Sequence, residues 1–316
     1  MSLLRIGTDC SGIEAPIEAL RQLQIPHKHL WSSDIDKFVI QSIKANYEPE
    51  ILFGDPNGPY PDGDITKRDN SILPDIDLYV AGFPCQPFSN AGKRKGFSDK
   101  RGNVFWGCLD VINNKRPKYF ILENVRGILW NDKENKKDKY GRTWNTIWSA
   151  LQGLEEYGYS VDWKILNTRD YGIPQNRPRV FMVGKLGCDF HWPSPTEMDN
   201  IRDYVDPISD IDAIKPKLFG KRQESVVNSK PNSVFIDLSF AGYRKPCSTS
   251  DIYSPTITAK PLSWNVTRGR WSTITEILKL QGFNHLNSIV STHQLKKQIG
   301  NSMSVNVVSA IFNELL

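Results

Sequence analysis

The feature that most constrains this chain is an alternation of short apolar runs with amphipathic segments, sustained through the first half and broken off near Cys188. Residues 3–8, 29–33, 77–81, 118–123, 161–166 and 180–184 read as strands. Helical patterns intervene after Ser11, over about 37–45, near 104–113 and over 143–156, where Trp144, Ile147, Trp148 and Leu151 recur at helical spacing. Strands separated by helices require crossover connections, which predicts a doubly wound, mostly parallel α/β sheet. Such sheets bind ligands at the carboxyl ends of their strands.

The local signals add detail. Ser11-Gly-Ile-Glu14 reads as a capping box opening the first helix. The polar run 131–142 carries Lys133, Lys136, Lys137 and Lys139 and reads as an exposed insertion. Residues 189–264 are rich in Pro, Ser and Asp, with strand-like pieces only at 233–238 and 255–258, and so read as a smaller, irregular β-rich domain. Helical signals return at 273–280 and 305–315, the latter with Val308, Ile311, Phe312 and Leu315 on one stripe. The expected organisation is a main domain over 1–188, completed by 265–316, with 189–264 inserted.

Composition excludes several classes. The 316 residues suffice for a packed core without staples. Five scattered cysteines with no Cys-x-x-Cys pair predict neither a disulfide framework nor a metal site. No apolar stretch approaches the ~20 residues of a membrane span, and the N-terminus lacks a signal-like apolar run, so a cytoplasmic location is expected. The net charge of +5 is mild, but it is unevenly placed. Lys93, Arg94, Lys95, Lys100 and Arg101 crowd a glycine-containing stretch against one acid, Asp99, whereas 189–264 holds nine basic and ten acidic residues. A basic loop suits a phosphate backbone, though a solvated surface loop has the same composition.

The chemistry-bearing residues follow strands. Cys85, in Gly82-Phe-Pro-Cys-Gln-Pro-Phe-Ser89, sits in a turn stiffened by two prolines where α/β enzymes place nucleophiles. Glu123-Asn-Val125 puts an acid at the end of the next strand, and Gln175-Asn-Arg-Pro-Arg179 places Arg177 and Arg179 on one side of an extended segment.

Together and in this order the motifs resemble those of the DNA (cytosine-5)-methyltransferases. The matches are Pro84-Cys85-Gln86, Glu123-Asn124-Val125, Gln175-x-Arg177-x-Arg179, the stretch from Thr275-Glu276 to Gln281-Gly-Phe283, and Gly300-Asn301-Ser302. The resemblance implies a Rossmann-like catalytic domain that uses S-adenosylmethionine, with residues 189–264 as a target-recognition domain. It implies Cys85 as the nucleophile that adds to carbon 6 of a flipped cytosine, Glu123 on ring nitrogen 3 and the exocyclic amine, Arg179 on the ring carbonyl and Arg177 in support. On the cofactor side it implies Gly12 and Ile13 in the first turn, Asp34 and Ile35 at the ribose, and Asp64 and Ile65 at the adenine. Gly82 and Pro84 would line the site, with Asn301 and Ser302 towards the methionine end. Gln86, Ser89, Lys93, Arg94, Lys95 and Arg101 would contact DNA. The first motif departs from the family pattern: Cys10 takes an aromatic position and Glu14-Ala15 replaces two glycines.

The implied partner is double-stranded DNA, with a companion restriction endonuclease acting separately, no membrane, and a monomeric enzyme in the cytoplasm, at the nucleoid, or in the host of a phage or virus. A dehydrogenase is disfavoured because no Gly-x-Gly-x-x-Gly follows the first strand. An RNA cytosine-5 methyltransferase is the nearer rival, and an inactive DNA-binding relative is a third reading.

Overall fold

The computed structural model describes residues 3–84, 104–135, 137–209, 220–239, 249–260 and 263–316. Among them the elements run β1 (Leu4–Asp9), α1 (Ala15–Gln22), β2 (His27–Ser33), α2 (Lys37–Asn46), β3 (Ile51–Phe53), β4 (Leu78–Ala81), α3 (Val104–Lys115) and β5 (Tyr119–Val125). There follow α4 (Arg142–Gln152), β6 (Tyr159–Asn167), β7 (Pro178–Leu186), α5 (Lys221–Asn228), β8 (Phe235–Asp237), β9 (Thr249–Ser250), β10 (Ser263–Asn265), β11 (Arg270–Trp271), α6 (Ile274–Gln281), α7 (Thr292–Asn301) and α8 (Val305–Leu315).

The chain divides into two compact units. The first comprises Met1–Leu166, Pro178–Pro193 and Val308–Leu316, and the second Asn167–Arg177 and Ser194–Val307. The first carries a seven-stranded sheet in the order β3-β2-β1-β4-β5-β7-β6. Strands β1 to β5 pair in parallel, and β7 runs antiparallel to β5. All of β4 and Phe120–Asn124 of β5 are buried, which is why these segments read as unbroken apolar runs. Trp144 of α4 is fully buried, stacks on Trp148 at 6.1 Å and meets Trp163 edge-on at 4.8 Å, so the helical stripe is core.

In the second unit β11-β10-β8-β9 form a small antiparallel sheet over Ile236, Leu238 and Trp264, with Trp271 edge-on to Trp264 at 5.1 Å. Its α6 opens with a capping box between Thr273 and Glu276, and the buried Glu276 is paired with Arg270 at 3.0 Å.

Four expectations are corrected. Glu14 is not part of a capping box: it is itself the N-cap of α1, in left-handed backbone, with no side-chain cap bond. Pro16 removes one of the N–H groups such a cap would serve, and the Glu14 carboxyl is drawn into the core. The run 131–142 is exposed at Glu134, Asn135, Lys137 and Lys139, as expected, and departs from that reading only at its ends: Asn131 is buried, and Asp132 accepts from the Thr143 backbone and hydroxyl at 3.0 Å. Residues 255–258 form no strand: Pro255 lacks an N–H, and the Ile257 N–H donates to the Gln175 side chain instead of to a neighbouring strand. The helical reading of 143–156 ends early: α4 stops at Gln152 and Gly153–Tyr157 tightens into a 3₁₀ turn. Helix α7 had no sequence expectation.

Candidate active site

The register of the parallel strands lines up a rim. Phe53, Ser33, Asp9, Ala81 and Leu122 are successive partners across β3, β2, β1, β4 and β5. The segments that leave this rim are the ones the motifs mark: Asp34 and Ile35 after β2, Cys10 to Ile13 after β1, Gly82 to Pro84 after β4, and Glu123 one residue past Leu122. The strand order turns back between β1 and β4, the switch point where open α/β sheets bind ligands.

On the β1–β2 side, Gly12 has φ +54°, and a Cβ there would meet nothing within 4 Å, so the turn faces open space. The Gly12 N–H donates to Asp34 Oδ2 at 3.2 Å, and the Asp36 N–H donates to Oδ1 at 2.9 Å. Burial pushes the Asp34 carboxyl up to about 6 despite these bonds. Gly63 presses against the Asp34 carbonyl, where any side chain would collide, and this brings Asp64 to the same end of the sheet. Asp64 Oδ1 accepts from the Thr66 N–H at 3.0 Å and its hydroxyl at 2.7 Å. Partial burial raises the Asp64 carboxyl, but the Thr66 and Lys67 bonds outweigh it and hold it below the ordinary range. Ile13 is fully buried, with its carbonyl accepting from the Tyr47 hydroxyl at 3.0 Å. Ile65 is buried, whereas Ile35 is 75% exposed at the lip.

This cradle fits S-adenosylmethionine. Ribose hydroxyls need a carboxylate acceptor, an adenine amine needs another acceptor nearby, and a side-chain-free turn lets the ligand approach the backbone.

On the β4–β5 side, Glu123 stands two residues from the position opposite Arg179: in the antiparallel β5–β7 ladder Phe181 pairs with Glu123 and Val125 with Arg179. Diagonal positions share a face, and Arg179 Nε lies 3.1 Å from Glu123 Oε1. Both side chains are mostly buried. Asn124 points the other way: its Nδ2 donates to the Phe83 carbonyl at 3.2 Å, and its Oδ1 accepts from the Val125 N–H at 2.8 Å. Phe83 is buried and packs at 5.7 Å from Phe105. The half-buried Gly82 and Pro84 flank that anchor.

Arg177 does not share the partner of Arg179. Arg177 is 2% exposed and belongs to the second unit, where it donates to the carbonyls of Ile257 at 2.6 Å, Gly300 at 3.1 Å and Ser302 at 2.6 Å. Gln175, fully buried, bonds Leu280, Gln281 and the Ile257 N–H. The Gln-x-Arg motif therefore interlocks with the Gly-Asn-Ser motif through backbone carbonyls. Asn301 is exposed at the end of α7, and Ser302 is buried and donates to the Met303 carbonyl at 3.0 Å.

Cys85, Gln86, Ser89, Lys93, Arg94, Lys95 and Arg101 lie outside the described residues. Of the cysteines described, burial pushes Cys108 up to about 12 and Cys10 well above the usual thiol range, so both stay protonated. No group of His, Cys, Asp and Glu able to hold a metal occurs among the described residues. Sequence reasoning missed Asn124 and Gln175 as structural anchors. Both stand inside the quoted motifs, and an amide in a motif is the available signal for a backbone tie.

The chain matches the C-5 cytosine-specific DNA methylase family over residues 8–316. It belongs to that family. It is 37% identical over 308 residues to the Type II methyltransferase M1.ScrFI of Lactococcus lactis subsp. cremoris, covering 92% of this chain and 72% of that one. It is 34% identical over 303 residues to M.NlaX of Neisseria lactamica, covering 90% and 88%. In fold it is similar to the Dnmt2 methyltransferase of S. pombe, with a TM-score of 0.68 at 21% identity over 100% of this chain and 98% of that one.

Proposed function

We propose that this DNA (cytosine-5)-methyltransferase acts on a specific sequence in duplex DNA with S-adenosylmethionine as donor, using Cys85, Glu123 and Arg179 on a flipped cytosine. Membership of the C-5 cytosine-specific DNA methylase family over residues 8–316 carries the activity, and it favours DNA over the RNA-directed reading. The fixed Glu123–Arg179 pair supports the roles of those two residues.

Carbon 5 of cytosine is a weak nucleophile, so the ring must be activated by addition at carbon 6. A thiolate at Cys85 forms that S–C bond, in a base taken out of the stack at a cost of about a few kcal/mol. The Glu123 carboxyl engages ring nitrogen 3 and the exocyclic amine, where charge develops as sulfur adds, and Arg179 both engages the ring carbonyl and orients Glu123. Gly12, Asp34 and Asp64 hold S-adenosylmethionine, which supplies an electrophilic methyl group when bound. Loss of the carbon 5 proton and cleavage of the S–C bond then release Cys85.

Arg177 is assigned a positioning role, since its guanidinium is occupied by three carbonyls. Residues 189–264 are assigned to target recognition. A companion endonuclease acting separately, a monomeric state and a cytoplasmic or nucleoid location complete the reading. No helix among the described residues is long and apolar enough to cross a membrane.

The test is covalent trapping on duplex DNA of mixed sequence carrying 5-fluorocytosine, with S-adenosylmethionine present. An adduct lost in Cys85→Ala is expected. Absence of any Cys85-dependent adduct overturns the reading.

A further inference from the structure

Where the family pattern has glycine in the first motif, this chain has Glu14, and the structure gives that acid a place. Glu14 has φ 56° and ψ 49°, a left-handed conformation that glycine adopts freely and a side chain resists. It is fully buried. Its Oε1 accepts from the Thr8 hydroxyl at 2.7 Å and from the Ser32 hydroxyl at 2.5 Å. Thr8 is the penultimate residue of β1 and Ser32 the penultimate residue of β2, so one oxygen joins both strand ends just below the rim.

The neighbours extend the tie. Ser11 Oγ lies 2.8 Å from Thr8 Oγ1 and accepts from the Ser33 N–H at 3.1 Å, while the Ser11 N–H donates to the Ser33 carbonyl at 3.1 Å. Between these bonds the turn is held with the Gly12 N–H on Asp34. His29 Nε2 lies 2.9 Å from Ser32 Oγ and 3.7 Å from Glu14 Oε1. Burial pulls the imidazole down to about 3, so His29 is neutral and gives Glu14 no counter-charge. Glu14 Oε2 has no partner among the described residues, and burial pushes the carboxyl up to about 7.

Such a group is costly as a stability device. Left-handed backbone and an uncompensated buried acid both oppose folding, and glycine would avoid both. What glycine cannot supply is a shared acceptor for the Thr8 and Ser32 hydroxyls.

We propose that Glu14 is a positioning residue for the cofactor, setting the Cys10–Gly12 turn against Asp34 by gathering the Thr8 and Ser32 hydroxyls on one buried oxygen. The inference rests on the reading of this rim as the S-adenosylmethionine site.

The test is calorimetric titration of the full-length protein with S-adenosylhomocysteine. Glu14→Ala is expected to weaken binding by about tenfold or more, and Glu14→Gln, which keeps the carbonyl acceptor, by less than about threefold. In methylation assays the loss falls on KM for the cofactor more than on kcat. If Glu14→Ala fails to fold, Thr8→Val decides, with binding expected to weaken about fivefold. Wild-type affinity in the folded Ala or Val variant, whatever its melting temperature, overturns the proposal. So do equal losses in the Gln and Ala variants. A wild-type protein that binds no S-adenosylhomocysteine overturns the reading of the rim, and the inference falls with it.

Discussion

Glu123 and Arg179 are diagonal neighbours across the antiparallel β5–β7 ladder, joined Nε to Oε1 at 3.1 Å on one face of the sheet. Each limits what the other can do. The guanidinium fixes the carboxyl's orientation, and the carboxyl keeps the mostly buried cation paired. A base that engages Glu123 therefore meets an oriented acid.

Glu123→Gln keeps the shape and removes the charge. It is expected to slow methylation by about 10²–10³-fold, the range for losing one electrostatic contact to developing charge. Binding of S-adenosylhomocysteine, measured by calorimetry, should stay within about twofold, because the proposed cofactor contacts Gly12, Asp34 and Asp64 follow β1, β2 and β3, not β5. Equal loss of both would remove Glu123 from the chemistry.

Asn124 anchors the turn that leads to Cys85 through the Phe83 carbonyl. Asn124→Ala removes that hydrogen bond to a buried residue, a loss of about 1 kcal/mol. Single-turnover methylation is expected to fall about tenfold or more, with trapping of 5-fluorocytosine DNA slowed in step. Unchanged trapping with lowered stability would make Asn124 a packing residue only.

Arg177→Lys cannot reproduce three bonds that diverge from a planar fork. About 3 kcal/mol of stability should be lost, from the donor withdrawn at the Ile257 and Gly300 carbonyls and from a buried ammonium, while the Ser302 carbonyl keeps its bond from Gln281. Chemical denaturation followed by tryptophan fluorescence reads this directly, since Trp264 and Trp271 sit in the same unit.

What was legible in the sequence had short-range signals. The strands of the large sheet each carry their own apolar run, so β1, β2, β4, β5, β6 and β7 were placed within a few residues. The rim was not legible, because it depends on register across β3, β2, β1, β4 and β5, and register is a property of paired strands. Spacing put Arg177 and Arg179 on one side. Burial of Arg177 among the carbonyls of residues some 80 to 125 positions away is a long-range fact that no local period encodes. Glu14 followed the capping pattern in letters, but Pro16 and the pull of Thr8 and Ser32 gave its carboxyl other work.

In the proposed cofactor site, Asp34 should link stability and binding in opposite directions. Its carboxyl rises from 3.8 to about 6 on folding, chiefly through burial. A raised carboxyl stabilises the fold while protonated. That contribution is fully present below about 3.8 and is lost as pH rises through about 6. Ribose hydroxyls, however, donate best to the ionised form, so cofactor affinity should fall as pH drops below about 6. Asp34→Asn separates the two effects. At pH 7.5 the variant should be more stable, by on the order of 1 kcal/mol once partial exposure is discounted. It should also bind S-adenosylhomocysteine at least about tenfold more weakly, with an affinity whose change between pH 5 and 7 is much smaller than in the wild type, the remainder belonging to Glu14. Paired melting and calorimetric curves across that range decide it: a variant whose affinity keeps the wild-type slope would assign the titration to another group.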